Sequence, residues 1–316
     1  NRADSCDVRE RSMWDVRDKC GYYPCDQKVR SGLSWMMETT YDDWCAAEMA
    51  KELGFAEDEA FFRKRSGYWK NIFRADTGWP CPRRTDGNWL DPYRPEWPIR
   101  PKDHPDGFST DTCEGTGYQW AFHVLHDVDG LVALMGGAEA FERELDRFFD
   151  EDFYKTDTVG NSSVHGNETC HHVAYLYNRI GRYGKTCRRV HDILTRCYSD
   201  SRRGFDGNED CGAMSAWYIL SALGFYPLDP ASGEYELGSP LLPRAEVKVG
   251  GEGGQWKKFT VVAKGLSKAN KYVKSVKLNG RPLKGHVIRH ADILAGGELV
   301  FEMTDAGGTT NPFLAR

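Results

Sequence analysis

Apolar side chains recur at helical spacing through the first two thirds of the chain. Between residues 33 and 53 they fall on one helical face, at Leu33, Met36, Met37, Tyr41, Trp44, Cys45 and Met49. This pattern predicts an amphipathic helix, and Gly54 marks its end. Similar patterns with glycine-marked ends predict further helices at about 57–73, 118–135, 138–149, 170–180, 185–198 and 211–223.

Every second connection between these helices is long. This arrangement favours paired helices in a partial (α/α)6-type toroid over a plain bundle, which needs fewer long loops. The longest loop, residues 77–112, is rich in Pro, Trp, Gly and Asp. Connections of that length usually have a function.

The pattern changes after Pro227 to alternating or β-branched runs. These runs lie at 245–249, 258–263, 272–278, 286–288 and 298–303, and Asn279-Gly280 is a hairpin signal. They predict a small antiparallel β unit that packs on the helices or completes a sheet whose other strands lie elsewhere. We therefore expect a mainly α chain with two domains, a partial toroid at 1–228 and a C-terminal β-rich unit at 229–316.

Charge and hydropathy exclude some classes of partner. The net charge of the 316 residues is −5 and the basic residues are scattered, so neither a nucleic acid nor a membrane surface is indicated. No apolar run approaches the roughly 20 residues of a membrane-spanning helix. The chain begins at Asn1 without an apolar leader, so we expect either a processed signal peptide or a portion of a longer protein.

Ten cysteines and two glycosylation triplets, at Asn161 and Asn167, favour an oxidising compartment. We therefore expect a secreted, extracellular or periplasmic protein. Five of the cysteines lie in loop-like sequence where disulfides are expected, although their pairing cannot be deduced: Cys6, Cys20, Cys25, Cys81 and Cys113.

Glu114 stands in the first of three acidic clusters at loop-to-helix junctions. Two glycines follow it, and then an aromatic helix that includes Tyr118 and Trp120. One interpretation is a helix cap formed by Glu114 or Thr116. The other is a general acid whose pKa is raised because the aromatic rings desolvate it.

The second cluster is His165-Gly-Asn-Glu-Thr-Cys-His-His172. Adjacent Cys and His residues have the wrong spacing for zinc, so a capped helix with a core histidine is the better interpretation. Asn167 and Glu168 offer oxygen ligands suited to calcium.

The third cluster, at residues 205–218, places acidic residues before an apolar helix that we expect to be buried nearly all round. Asp210 could be only an N-cap. Alternatively, the acids face the interior, where they need a cation, a water or a substrate. The sequence Gly-Asn-Glu-X-Cys occurs at 166–170 and again at 207–211, as if both copies lined one cavity. Tryptophans near these junctions favour a sugar ligand, although most are expected in the core.

Several longer motifs resemble glycoside hydrolase family 92. They are Tyr41-Asp-Asp-Trp-Cys45, Glu114-Gly-Thr-Gly-Tyr-Gln-Trp120 with His126-Asp127, Gly166-Asn-Glu-Thr-Cys-His-His172, Gly207-Asn-Glu-Asp-Cys-Gly-Ala-Met-Ser-Ala-Trp-Tyr218, Ala222-Leu-Gly-Phe-Tyr-Pro227 and Gly238-Ser-Pro240. The resemblance runs from about Tyr22 to Met303. It implies a calcium-dependent, inverting, exo-acting α-mannosidase with mannose-containing glycans as substrates.

The resemblance also implies roles for individual residues. Glu114 corresponds to the general acid and Asp210 to the general base, while Asn167 and Glu168 fall where the family holds calcium. Asp43, His165 and Asn208 are expected to contact the substrate. Asn208 occupies a position that is Asp in some members, so a second base carboxylate is missing there.

Three departures from the family pattern limit what the resemblance implies. The N-terminal β-sandwich and the early toroid segment with Trp-Asp-Thr-Phe-Arg are absent, so the chain resembles a C-terminal portion whose expected partner is the remaining portion. His165 is followed by Gly166 rather than Glu, which argues against α-1,2 specificity. Glu114 is kept, which favours a glycosidic leaving group over a phosphate. A mannose-binding protein without activity, an inactive fragment and an α-glucosidase remain alternatives.

Overall fold

The computed structural model describes residues 8–27, 29–97, 99–100, 102–104, 110–152, 164–202, 204–250 and 255–307. Contacts divide the chain into a first unit, Asn1–Phe141 with Asp157–Gly160, and a second unit, Glu142–Thr156 with Asn161–Arg316. This division does not coincide with the expected boundary at 228/229, which marks a change from helices to strands. As a domain boundary, 228/229 stays a prediction, and so does the toroid.

The first unit is built mainly from helices. They are α1 (Val8–Cys20), α2 (Gly32–Leu53), α3 (Ala56–Ser66), a 3-10 helix (Gly67–Ile72), α4 (Gly117–Trp120) and α5 (Val128–Leu134), with a short hairpin of β1 (Phe73–Arg74) and β2 (Trp79–Pro80). Helix α2 matches the prediction, and Gly54 closes it in the left-handed conformation, with φ 77°. Helix α1 was not predicted from the sequence.

The single helix expected at 118–135 is wrong, because the segment forms the two short helices α4 and α5. The side chain of Asp127 accepts a hydrogen bond from the backbone N–H of Gly130 and so starts a new helix. Capping of this kind satisfies a helix N-terminus that a continuous helix would not expose. Periodicity did not reveal the break, since apolar residues continue on both sides of it.

The remaining helices lead into the second unit. They are α6 (Ala138–Arg147), a π-helical segment (Phe148–Asp152), 3-10 helices at Val164–Gly166, Glu168–Cys170 and Val173–Tyr175, α7 (Leu176–Arg179), α8 (Tyr183–Arg196) and α9 (Ala213–Leu223). The helix expected at 170–180 is therefore short pieces rather than one element. Helix α9 is not buried all round as expected, because Ala216 and Ile219 are exposed.

Two sheets complete the second unit. A three-stranded sheet contains β3 (Phe225–Tyr226), β4 (Glu234–Leu237) and β9 (Val287–Arg289) in that order. A five-stranded sheet has the order β5-β6-β10-β7-β8, from β5 (Arg244–Gly250), β6 (Trp256–Lys264), β7 (Tyr272–Leu278), β8 (Arg281–Pro282) and β10 (Gly297–Thr304). A short helix, α10 (His290–Leu294), precedes β10.

The prediction of a wholly antiparallel unit is wrong for one pair of strands. Strand β10 lies between β6 and β7, antiparallel to β7 and parallel to β6. Strands β6 and β7 run in opposite directions, so a strand inserted between them must be parallel to one of the two. The alternating pattern predicted strands without fixing their order, and only the fold inserts β10 between β6 and β7.

The β-rich part packs on helices, as expected. Tyr183 and Cys187 of α8 and Leu223 of α9 share one hydrophobic core with sheet residues such as Phe259 and Phe301. Burial of such apolar area is the main force that holds helices and sheets together. None of the described helices is long and apolar enough to cross a membrane.

The described residues contain no disulfide. Cys20, Cys25, Cys81 and Cys113 are free thiols, which contradicts the expectation of disulfides there, and Cys6 lies outside the described residues. Burial raises the pKa of Cys25 to about 11 and that of Cys81 to about 12. Both thiols are therefore protonated at neutral pH, the form that reacts poorly.

Candidate active site

Glu114 lies in a tight turn before α4, where its backbone is left-handed with φ 46°. Two hydrogen bonds hold the residue before it: the N–H of Cys113 donates to Ser34 Oγ at 2.9 Å, and the indole of Trp120 donates to the carbonyl of Cys113 at 2.7 Å. Left-handed backbone is uncommon for residues other than glycine. The turn therefore fixes Glu114 in a conformation that the residue would not choose by itself.

Glu114 does not cap α4. Thr116 does so in a capping box, in which Gln119 N–H donates to Thr116 Oγ1 and the N–H of Thr116 donates to Gln119 Oε1. Tyr118 and Trp120 are buried, whereas Glu114 is exposed. The expected desolvation of Glu114 by flanking aromatic rings is therefore wrong.

Asp43 is buried in α2 and paired with two arginines. Its Oδ2 accepts from Arg17 Nη2, and Arg65 Nε donates to the same oxygen at 3.2 Å. Arg17 is fully buried. This geometry gives Asp43 a structural task inside the first unit, and its expected contact with substrate stays a prediction.

Sequence reasoning passed over three titratable residues of the first unit. On α2, Glu38 and Asp42 are exposed only in part, with 48% of the Glu38 side chain accessible to solvent, and His123 Nε2 lies 3.6 Å from Glu38 Oε1. Burial and the charge of Glu38 raise the pKa of Asp42. Burial opposes ionisation of Glu38, but the hydrogen bond and charge of His123 outweigh it and lower the pKa of Glu38. Glu38 and Asp42 are four residues apart, about one turn of α2, and this spacing was the sequence signal that could have revealed the pair.

In the second unit, the two Gly-Asn-Glu-X-Cys motifs touch each other. Gly207, with φ 126°, packs so closely on Gly166 that a Cβ at position 207 would lie 2.5 Å from the carbonyl oxygen of Gly166. Only glycine tolerates both the torsion and the approach. The structure therefore brings Asn167 and Glu168 close to the loop that carries Asn208 and Asp210, whereas the shared cavity that the repeated motif suggested stays a prediction.

His165 is fully buried under this junction. Its Nε2 lies 2.8 Å from the hydroxyl of Tyr198, and its ring meets Trp217 edge-on at 4.3 Å. Burial and the neighbouring His171 lower the pKa of His165 well below its usual value, so the ring is neutral. The hydrogen bond to Tyr198 gives His165 a structural role in holding that side chain. Its expected contact with substrate stays a prediction.

His171 of the first motif interacts electrostatically with Asp210 of the second. Burial lowers its pKa to about 4, although a hydrogen bond to the carbonyl of His165 and the charge of Asp210 act in the opposite direction. The carbonyl of His171 in turn accepts from the indole of Trp217 at 2.9 Å. Asp210 therefore lies within electrostatic reach of a neutral imidazole, a link that the sequence motifs did not indicate.

The N-cap residue of α9 is Gly212, not Asp210. The carboxylate of Glu209 bonds to this end of the helix, where it accepts from Gly212 N–H at 2.5 Å, from Ser215 N–H at 3.0 Å and from the Ser215 hydroxyl. The Ser215 hydrogen bonds lower the pKa of Glu209. Asp210 is exposed on left-handed backbone, with φ 45°. The N-cap interpretation of Asp210 is thus wrong, and so is the expectation that these carboxylates are buried.

Asn167 and Glu168 have the donor chemistry that calcium requires. Asn167 is 8% exposed and Glu168 is exposed, and each offers a hard oxygen. Across the residues that the structure describes, no group of three or more His, Cys, Asp or Glu side chains is arranged to hold a metal. A calcium ion here would therefore complete its about six to eight ligands with amide or backbone oxygens, water and substrate hydroxyls.

Comparison with known proteins identifies the chain. The glycosyl hydrolase family 92 catalytic domain matches residues 2–305. A protein of Arthroderma benhamiae named an uncharacterized secreted glycosidase is 28% identical over 283 residues, 84% of this chain and 35% of that protein.

Two solved structures from Bacteroides thetaiotaomicron superpose well. A family GH92 α-mannosidase in complex with mannoimidazole is 30% identical with a TM-score of 0.85, over 98% of this chain and 40% of that one. A family GH92 inverting mannosidase is 28% identical with a TM-score of 0.81, over 96% and 41%.

By class, the chain therefore matches the catalytic domain of glycoside hydrolases. It belongs to glycosyl hydrolase family 92. It spans less than half the length of the relatives that it matches.

Proposed function

We propose that this chain carries catalytic residues of an exo-acting α-mannosidase that removes terminal α-mannose from glycans with inversion. One observation carries the proposal: Glu114 and Asp210, the carboxylates of the family motifs, are both exposed on left-handed backbone. Strained backbone of this kind clusters at active sites. The related structures are named as mannosidases, one in complex with mannoimidazole and one as inverting.

Glu114 acts as the general acid. A glycosidic oxygen is a poor leaving group and needs a proton as the bond to the anomeric carbon breaks. Thr116 and Gln119 satisfy the N-terminus of α4 between themselves. Glu114 is therefore not the residue that caps α4, and in this proposal its carboxyl protonates the leaving oxygen.

Asp210 acts as the general base. Inversion requires a second carboxylate on the opposite face of the sugar, about 6.5–9.5 Å from the acid, with a water between base and anomeric carbon. Glu209 holds the first turn of α9, so Asp210 is positioned by its neighbour rather than by its own side chain. Because the pKa of His171 is about 4, its ring carries no positive charge near this carboxylate at neutral pH.

Asn167 and Glu168 would hold calcium at the junction of the two motifs. Bound there, the ion would supply positive charge that polarises and orients sugar hydroxyls. Asn208, exposed beside Asp210, would bind a hydroxyl through its amide. We also propose a secreted protein, in line with the name of the Arthroderma relative.

The test is hydrolysis of α-linked mannobioses by the whole chain, followed by proton NMR in calcium buffer. Inversion yields β-mannose first, before mutarotation, whereas retention yields α-mannose. Release of glucose from maltose, without release of mannose from the mannobioses, would favour the α-glucosidase alternative. The appearance of α-mannose first would contradict the inverting mechanism.

A second candidate function is binding of mannosides without turnover. The exposure of Asn208 and Glu168, both expected to bind sugar or calcium, is compatible with binding alone. Calorimetric binding of methyl α-mannoside with no product after prolonged incubation would support this candidate. Product formation would exclude it.

A further inference from the structure

A cavity of about 540 Å³ opens in the second unit between the loop after α8 and the exposed face of α9. Sites for small molecules usually have volumes of about 300–1,000 Å³, with apolar walls and a few polar groups. The wall here combines three aromatic rings with charged and hydroxyl side chains, namely Tyr198, Phe205, Tyr218, Asp200, Arg202 and Ser215.

The aromatic rings form an open corner. Phe205 meets Tyr198 edge-on, with centroids 6.0 Å apart and planes at 88°, and Tyr218 lies 4.8 Å from Tyr198. Phe205 is 40% exposed, although exposure of so large an apolar side chain is unfavourable. An apolar face presented at a cavity edge suits the C–H face of a pyranose ring.

The polar groups narrow the ligand class. Arg202 offers only donors and Asp200 only acceptors, and both are exposed at the cavity. A phosphate or other anion would meet the Asp200 carboxylate, and a purely apolar ligand would make no hydrogen bond to either side chain. Hydroxyl groups both donate and accept, so a neutral polyhydroxy ring satisfies both side chains.

Residues in the cavity wall also form hydrogen bonds next to the candidate base, Asp210. Ser215 in its wall donates to Glu209, the residue before Asp210. The hydroxyl of Tyr198, also in the wall, lies 2.8 Å from His165 and donates to the carbonyl of Met214 in α9. A ligand in the cavity would therefore lie beside the loop that carries Asp210.

We propose that this cavity binds a pyranose ring of the glycan other than the terminal mannose that is cleaved. The inference rests on the proposed function, because that function supplies a ligand with more than one sugar ring. It makes Phe205 and Arg202 determinants of affinity for longer mannosides. The terminal mannose itself gains nothing from them.

The test compares two ligands on the whole chain by calorimetry: a sulfur-linked α-mannotriose, which resists hydrolysis, and methyl α-mannoside. Phe205→Ala and Arg202→Met should each weaken mannotriose binding about tenfold, as loss of a central contact does, and leave methyl α-mannoside within about twofold. Trp256→Ala and Arg281→Met are matched controls, since both residues are exposed in the sheets of the same unit.

Several outcomes would overturn the inference: unchanged mannotriose affinity in both variants, equal losses for both ligands, or no binding of mannotriose by the parent chain. Circular dichroism and thermal melting would confirm that each variant is folded. Mannotriose binding that depends on Phe205, together with no hydrolysis of oxygen-linked α-mannobioses, would contradict only the proposed function. Hydrolysis with binding that is independent of Phe205 and Arg202 would contradict only this inference.

Discussion

Glu114 and Asp210 share one backbone geometry, with φ 46° at the first residue and 45° at the second. Non-glycine residues held there cost about 1–3 kcal/mol each. In both turns the side chain of a neighbouring residue accepts hydrogen bonds at the helix N-terminus, namely Thr116 at α4 and Glu209 at α9. Both carboxylates that the motifs single out therefore lie on strained backbone, which among the described non-glycine residues also occurs at Ser31, Cys211 and Asn279.

Glu114→Gln should slow hydrolysis of α-mannobiose about 100- to 10,000-fold, because the amide cannot protonate the leaving oxygen. Hydrolysis of 2,4-dinitrophenyl α-mannoside should change far less, since that leaving group needs no proton. Steady-state kinetics on both substrates checks this. Glu139→Gln, an exposed glutamate at the start of α6, is the control. Equal losses on both substrates would argue against a role as acid.

Asp210→Asn should lower the rate on both substrates by a similar factor of about 100 to 10,000, because water activation is needed whatever leaves. The KM should change little, since the base acts mainly in the transition state. Asp305→Asn, an exposed aspartate in the same unit, is the control. A wild-type rate for the Asp210 variant would remove the residue from the mechanism.

Calcium should stabilise the chain against heat, because it binds the folded state only. At calcium concentrations about 100 times the Kd, we expect a rise in Tm of about 5 °C, reversed by EDTA. Glu168→Gln should reduce this rise, while the exposed Glu298→Gln should retain it. Differential scanning calorimetry checks the prediction without any activity measurement. An undiminished rise in the Glu168 variant would place the ion elsewhere.

Asp43→Asn should destabilise the first unit by about 3–5 kcal/mol, because it leaves the buried guanidinium of Arg17 without its charge partner. Urea unfolding followed by tryptophan fluorescence checks this. The exposed pair of Arg74 and Asp76 supplies a control, and Asp76→Asn should change stability little. A stable Asp43 variant with impaired sugar binding would instead favour the substrate contact implied by the family.

Stability should fall as the pH falls from about 6.5 to 4. In the folded chain burial lowers the pKa of His171 to about 4, against 6.5 for a histidine exposed to water. In this window the unfolded chain therefore takes up a proton that the folded chain cannot. At about 1.4 kcal/mol per unit of pKa, the loss is about 3 kcal/mol by the lower end. Above pH 6.5 the group has no effect.

Urea titrations between pH 7.5 and 4 measure this slope. His171→Gln should flatten it, and His290→Gln, which alters an exposed ring in α10, should not. A slope that persists unchanged in the His171 variant would assign the pH dependence to other groups.

Local pattern was enough to predict most elements that one segment stabilises by itself. Helix α2 has a continuous apolar face and a glycine stop, so its bounds could be predicted within a residue. The expected helix at 118–135 failed because the side chain of Asp127 reached the N–H of Gly130 and started a new helix. A single polar contact of this kind overrides an apolar pattern that continues on both sides.

The motifs in the sequence alone indicated the family, and the resemblance to that family singled out the candidate carboxylates. Tertiary structure decided which residues meet. It set Gly207 on Gly166, paired Asp43 with Arg17 of the unpredicted helix α1, and inserted β10 between β6 and β7. These contacts join residues far apart in the chain. Their free energy comes from burial and pairing on folding, which no local pattern encodes.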